Sequence, residues 1–227
     1  MDPIELMQLE EKKRAVEVDK ERRKAREKLK VEVTKRLPVA AQKGSPLELV
    51  FYPDERLEKP CEPVEVKSSE IRKLGQNMLT TMYLCGGVGL AAPQVGRLER
   101  VFVLDWSGEK KHPLVVVNPD VMEVGIDEVS LIEGCLSFPA ARFPVARVAT
   151  VRAHWFNDVG KEYDQWLDGW AARIFLHEYD HLNGITFLDK TTPIVRRTAM
   201  KKLGKLQQRV DRDKKGGQRT FQRRNWR

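Results

Sequence analysis

An α+β domain with a charged extension at each end is the fold that this sequence predicts. Short β-rich runs cluster between two helical patterns, which is how an α+β core reads. Apolar periodicity is confined to residues 47–190, so one domain is expected there. Residues 1–46 read as a charged, helix-prone extension with a linker, and residues 191–227 as a basic C-terminal tail.

The chain has 227 residues, 41% apolar and 33% charged, enough for one domain with a real core plus extensions. Its three cysteines (Cys61, Cys85 and Cys135) are odd in number and widely spaced. That argues against a disulfide framework and for a reducing compartment. No apolar run reaches the roughly 18 residues of a membrane span, so no membrane partner is expected. The N-terminus, MDPIELMQLEEKKRAVEVDK, lacks the apolar stretch of a signal peptide and is too acidic for a typical transit peptide. Net charge is +8, yet from Lys190 onward 14 Lys/Arg face only Asp211 and Asp213, so the basic character belongs to the tail.

In chain order, residues 1–37 carry 12 Lys/Arg and nine Asp/Glu. Interleaved signs, as in EVDKERRKAREKLK, suit an exposed helix laced with i,i+4 pairs. LPVAAQKGSPLE reads as the linker. Ser69 to Leu84 reads as a helix with Ile71, Leu74, Met78 and Met82 on one face. A glycine-rich loop, GGVGLAAPQVG, follows, then strands at 101–105, 114–118, 129–133 and 148–155. In the last, Val151, Ala153 and Trp155 alternate with Arg152 and His154, the pattern of a half-buried strand. Asp168 to Asn183 returns to helix, with Asp168 as candidate N-cap and Gly184 as the stop. The tail's first part reads as a basic helix broken by Gly204 and ended at Gly216-Gly217. Trp106, Trp155 and Trp166 read as packing residues, and His112 and His154 as solvated.

The chemistry concentrates in FLHEYDHLNG, residues 175–184. On a helix, positions i and i+4 share a face, so His177 and His181 can aim one nitrogen each at a single ion about 2.0–2.1 Å away. Glu178 then stands beside the ion, placed to take a proton from water activated there. A hydrolytic metal needs a third protein ligand. The pattern H-E-x-x-H-x-x-G-x-x-H would put a histidine at position 187, where the chain has Phe187. Cys135, in EGCLSFP, would complete a one-thiolate, two-imidazole set. Cys85, beside Gly86-Gly87, is the weaker rival, and Cys61 has no comparable setting. GVGLAA also fits a dinucleotide-binding fingerprint with Asp105 near the expected acid. However, a helix precedes it and Pro93 interrupts the helix that should follow, so a nucleotide site is not expected.

GVGLAAPQVG (87–96), EGCLSFP (133–139) and HEYDHLNG (177–184) together resemble the three motifs of peptide deformylases, in the family's order. The resemblance spans about residues 47–190 and implies antiparallel sheets around a central helix that carries HExxH. It implies a hydrolase that removes the formyl group from N-terminal formyl-methionine of nascent polypeptides. It implies one divalent metal ion, Fe²⁺ in the family's usual use and Zn²⁺ or Ni²⁺ as accepted substitutes, held by Cys135, His177 and His181. Catalytic roles fall to Glu178 as base and then acid, and to the Gln94 side-chain amide and the Leu136 backbone N–H as oxyanion donors. Gly87 and Gly89 would let the backbone approach the peptide. Val88, Leu131 and Ile174 would wall an apolar pocket for the methionine, bordered by Trp170 and Arg173. Glu133, Gly134 and Arg142 would help hold the peptide.

The tail's mix of Arg with Phe221 and Trp226 suits phosphate contacts and stacking on unpaired bases, so ribosomal RNA is the expected polyanion. A bacterial cytoplasm is the compartment expected first, with a plastid or mitochondrion as the alternative. Two rivals remain: a zinc peptidase with an acid such as Asp189 as third ligand, and an inactive deformylase-like protein that binds ribosomes.

Overall fold

The structure, a computed structural model, describes residues 37–215 apart from 108, 110 and 140, and side chains as far as Lys205 with that of Ala40 excepted. The charged segment 1–36 and the final stretch with Phe221 and Trp226 lie outside the described residues. Four helices are described: α1 (Val39–Gln42), α2 (Ser69–Leu84), α3 (Gly169–Leu182) and α4 (Pro193–Lys215). Seven strands are described: β1 (Gly89–Ala91), β2 (Val101–Leu104), β3 (Leu114–Val124), β4 (Glu128–Gly134), β5 (Arg142–Val148), β6 (Thr150–Phe156) and β7 (Glu162–Asp168). Every pairing between these strands is antiparallel. One sheet has the order β1-β2-β3-β6-β7, and β4 and β5 form a separate hairpin.

Helix α2 forms as its periodicity requires. Ser68 caps it by accepting from the Glu70 N–H, and Ile71, Leu74, Met78 and Met82 are all buried. Strand β6 buries Val151, Ala153 and Trp155 on one face. Against that face lies α3, whose Ile174, Phe175 and Leu182 join Phe102, Leu104, Val116 and Trp155 in the main core. Placing α3 here carries the HExxH motif into the centre of the domain. Gly184 ends the helix with φ +70, and a Cβ there would stand 2.6 Å from the Glu58 carbonyl oxygen, so glycine is required. Asp168 occupies the N-cap position, but its side chain makes no capping hydrogen bond.

Several elements differ from expectation. β3 runs six residues past Asn118, because that residue takes φ +48 and the register shifts there, so the strand continues across Pro119 through a bulge. β5 and β7 have no counterpart among the expected strands. Pro144 and the inward Arg147 disguise the first, and only Leu167 is buried in the second. Gly204 does not break α4. Its exposed position costs only about 1 kcal/mol relative to alanine, and Ala199 and Leu203 anchor the helix against Phe143, Phe187 and Leu188. The start of the basic tail is therefore packed structure. Trp155 stacks on Tyr163 with ring centres 5.2 Å apart, whereas Trp166 is 54% exposed and does little packing. Among the described residues no helix is long and apolar enough to cross a membrane.

Candidate metal centre

Three side chains from two elements converge. Cys135 leaves the end of β4, while His177 and His181 project from one face of α3, and their ligand atoms all lie within 4.8 Å of one another. Cys135 Sγ and His181 Nε2 are 3.2 Å apart. Glu133 Oε2 sits 2.8 Å from His177 Nδ1, which leaves Nε2 of that ring for the centre. Burial disfavours charge on His177, yet hydrogen bonds with Cys135 and Glu133 outweigh it and push the imidazole up to about 10. The surroundings thus favour positive charge at this point. Burial instead drives His181 well below its usual range, keeping it neutral as a ligand must be. One thiolate and two imidazoles around a common point fit a divalent cation of the iron and zinc type.

Glu178 is buried beside this group. Burial pushes its carboxyl up to about 7, against the pull of His177 and Arg147. Its Oε2 has no hydrogen-bond partner among the described residues. A buried carboxylate with a free oxygen and a pKa near neutrality can accept and return a proton. Gly89 makes the room for it. A Cβ there would stand 2.8 Å from Glu178 Cδ and closer still to Oε1. Gly87 is similarly crowded, its Cβ position 2.9 Å from Leu136 Cδ1. The family resemblance implies that both glycines admit the substrate backbone, and here their Cβ positions are also filled by the packing of Glu178 and Leu136.

Gln94 is buried. Its Oε1 accepts from the Ala91 N–H at 2.8 Å, and its Nε2 donates to Cys135 Sγ and Ser137 Oγ, each at 3.2 Å. This fixes the amide with its N–H side toward the centre. Leu136 is 9% exposed and adjoins the cysteine. Val88 and Leu131 stand 39% and 43% exposed, while Ile174 is packed in the main core. Trp170 is half exposed. Arg142 is exposed and pairs with Gly134 across the hairpin.

Glu133 is corrected by its contacts. It is 5% exposed, and both its oxygens are taken by Arg147, Arg173 and His177. No oxygen remains for a substrate peptide, so its place is beneath the centre. Burial alone would raise its carboxyl, but the hydrogen bonds from His177 and Arg147 hold it at about 2. Arg147, Asp180 and Ser137 escaped the sequence reading. Asp180 lies three residues after His177 on the same helix face, and Arg147 keeps the inward parity of Phe143 and Val145 on β5. Those periodicities were the available signal. Asp189, the third ligand of the peptidase alternative, instead accepts from the Thr186 N–H and hydroxyl at 2.9 and 2.8 Å. Asp105, the acid of the discarded nucleotide reading, is bound by Tyr83 and Ser107.

The polypeptide deformylase family model matches residues 46–197, which spans all three motifs. The chain belongs to the peptide deformylase family. A curated peptide deformylase of Aquifex aeolicus is 41% identical over 162 residues, 70% of this chain and 95% of that protein. The crystal structure of a peptide deformylase from Legionella pneumophila superposes with a TM-score of 0.70 at 38% identity, covering 74% of this chain and 99% of that one. A Thermotoga maritima peptide deformylase gives 0.62 at 36% identity, covering 65% and 99%. As a deformylase, the chain is a metal-dependent hydrolase that removes the formyl group from N-terminal formyl-methionine during protein biosynthesis. Neither the peptidase nor the inactive-protein alternative is favoured.

Proposed function

We propose that deformylation by this chain uses Cys135, His177 and His181 to hold one divalent ion and Glu178 to carry the proton. The observation that supports this is the convergence of one sulfur and two imidazoles within 4.8 Å, beside a buried carboxylate with a free oxygen. The bound ion supplies Lewis acidity that brings the ionisation of water towards neutral pH. Glu178 accepts the proton as water adds to the formyl carbon, then delivers it to the departing amine nitrogen. The Gln94 amide and the Leu136 backbone N–H donate to the formyl oxygen as it becomes negative, each worth about 2.7–4 kcal/mol where such donors have been removed elsewhere. Val88, Leu131 and Ile174 are assigned to the apolar wall for the methionine side chain. Formate and a free N-terminus are released.

Membership of the family favours Fe²⁺ as the native ion, with Zn²⁺ and Ni²⁺ as substitutes, and one thiolate with two imidazoles accommodates all three. The deciding experiment is Glu178→Gln. The variant should retain bound metal while formate release from a formyl-Met peptide falls by about 10²–10⁴-fold. Near-normal turnover would remove Glu178 from the mechanism.

The substrate leaves a ribosome, and the exposed side of α4 carries Arg197 and Lys201, so ribosomal RNA is the partner assigned to the basic segment. Charge reversal at both positions should lower ribosome co-sedimentation at low salt, and equal sedimentation would end this assignment. A bacterial cytoplasm is the proposed compartment. A plastid or mitochondrial matrix is the alternative, in view of a deformylase of Arabidopsis thaliana among the structural neighbours.

A further inference from the structure

Beneath the ligand group, two arginines form a crossed brace between the parts that deliver sulfur and nitrogen. From the β4–β5 hairpin, Arg147 holds Glu133 through Nε at 2.6 Å and Nη2 at 3.0 Å, and reaches across to Asp180 on α3 through Nη1 at 2.6 Å. From α3, Arg173 reaches back to Glu133 Oε1 at 2.7 Å and to the Val145 carbonyl at 3.0 Å. Glu133 stands two residues before Cys135, and Asp180 one residue before His181. All four residues are buried, with side-chain exposures no higher than the 11% of Asp180, so water cannot replace a lost contact cheaply. Among the described residues the only other cation paired with Asp180 is Lys190, at 3.7 Å from Oδ1 and 42% exposed along its side chain, a weak substitute.

We propose that Arg147 is a positioning residue that sets the separation between the Cys135 sulfur and the two imidazoles. It is none of the three ligands and acts through the acids on either side of it. The inference rests on the reading of Cys135, His177 and His181 as metal ligands. A guanidinium is required because its rigid fork presents donors to two carboxylates at once, whereas a lysine ammonium is a single point of charge. Removing the fork frees the hairpin to shift against α3, and the sulfur moves with the hairpin.

The test uses full-length protein loaded with Co²⁺, whose thiolate-to-cobalt charge-transfer band reports the sulfur and whose d–d bands report the whole ligand set. Arg147→Gln and Arg147→Lys should both weaken the thiolate band and lower the ion's affinity, measured by chelator competition, by about 10–100-fold. Arg152→Gln is the matched control. Arg152 also spans two acids, Asp164 and Glu123, but on an exposed sheet face, and its loss should leave the band unchanged. If circular dichroism shows the Arg147 variants unfolded, Asp180→Asn removes only the helix arm of the brace and should move both readouts in the same direction. A folded Arg147 or Asp180 variant with wild-type band and chelator resistance overturns the proposal. Absence of the thiolate band from the wild type would instead overturn the ligand assignment, and the brace with it.

Discussion

At the scale of single residues, the carboxylate of Glu178 owes its position to a missing methyl group. Gly89 lies in β1 with no left-handed backbone requirement, so alanine there is permitted by φ and ψ. What excludes it is the carboxylate, whose Cδ would lie 2.8 Å from the new Cβ. Gly89→Ala should therefore fold and keep its metal while formate release drops by about 10²-fold, the effect of misplacing a reacting group by about an ångström. Measuring kcat and metal content on one sample checks it. The grouping of Cys135, His177 and His181 beside Glu178 was legible in the sequence because helical spacing puts His177 and His181 on one face with Glu178 on the adjacent stripe, and because EGCLSFP offers a cysteine to complete the set. Arg147 and Asp180 were not, because a charged residue in a sequence is first read as solvated. Only the hairpin's packing onto α3 shows that these two neutralise each other indoors.

At the scale of elements, α4 belongs to the domain's energetics. Leu203 is 8% exposed and shares a cluster with Phe138, Phe143 and Phe187. Leu203→Ala should lower unfolding free energy by about 2–3 kcal/mol, near the low end for buried leucines because a terminal helix can relax into the space. The midpoint of urea denaturation reads this directly. Phe143 sits on β5 two positions from Val145 and four from Arg147, so disturbing α4 also loosens the strand that supports the metal centre. A chain ending at Lys190 would remove a wall of the core along with the basic charge. Charge reversals on the exposed face are thus the cleaner probe of polyanion binding. Helices α2 and α3 were legible from periodicity to within a residue or two, whereas α1 fell in the expected linker and α4 runs through the break expected at Gly204. β5 and β7 were not, since a proline and inward arginine in one, and a single buried apolar residue in the other, erase the alternation that announces a strand.

For the whole molecule, cation binding and folding are linked. Cys135, His177 and His181 come from different parts of the core, so an ion held by all three in the folded chain and not in the unfolded one would stabilise the whole. At an ion concentration about 100 times its Kd the gain is about 2.7 kcal/mol, which for a domain of this size is about 5–10 °C in Tm. Stripping the metal with a chelator should lower Tm by that amount, and adding it back should restore it. An unchanged Tm would mean that the ion contributes nothing to holding hairpin and helix together. The α+β class was evident from strands clustered between helices. The division into a five-stranded sheet and a separate hairpin was not, because pairing partners depend on register across tens of residues.

The sulfur comes from position 135 and the second imidazole from position 181, with three more strands made between them. A copy of this enzyme still being synthesised therefore lacks the full Cys135–His177–His181 group until residue 181 has emerged, and a transcript cut short before that point yields a protein with no activity to misdirect.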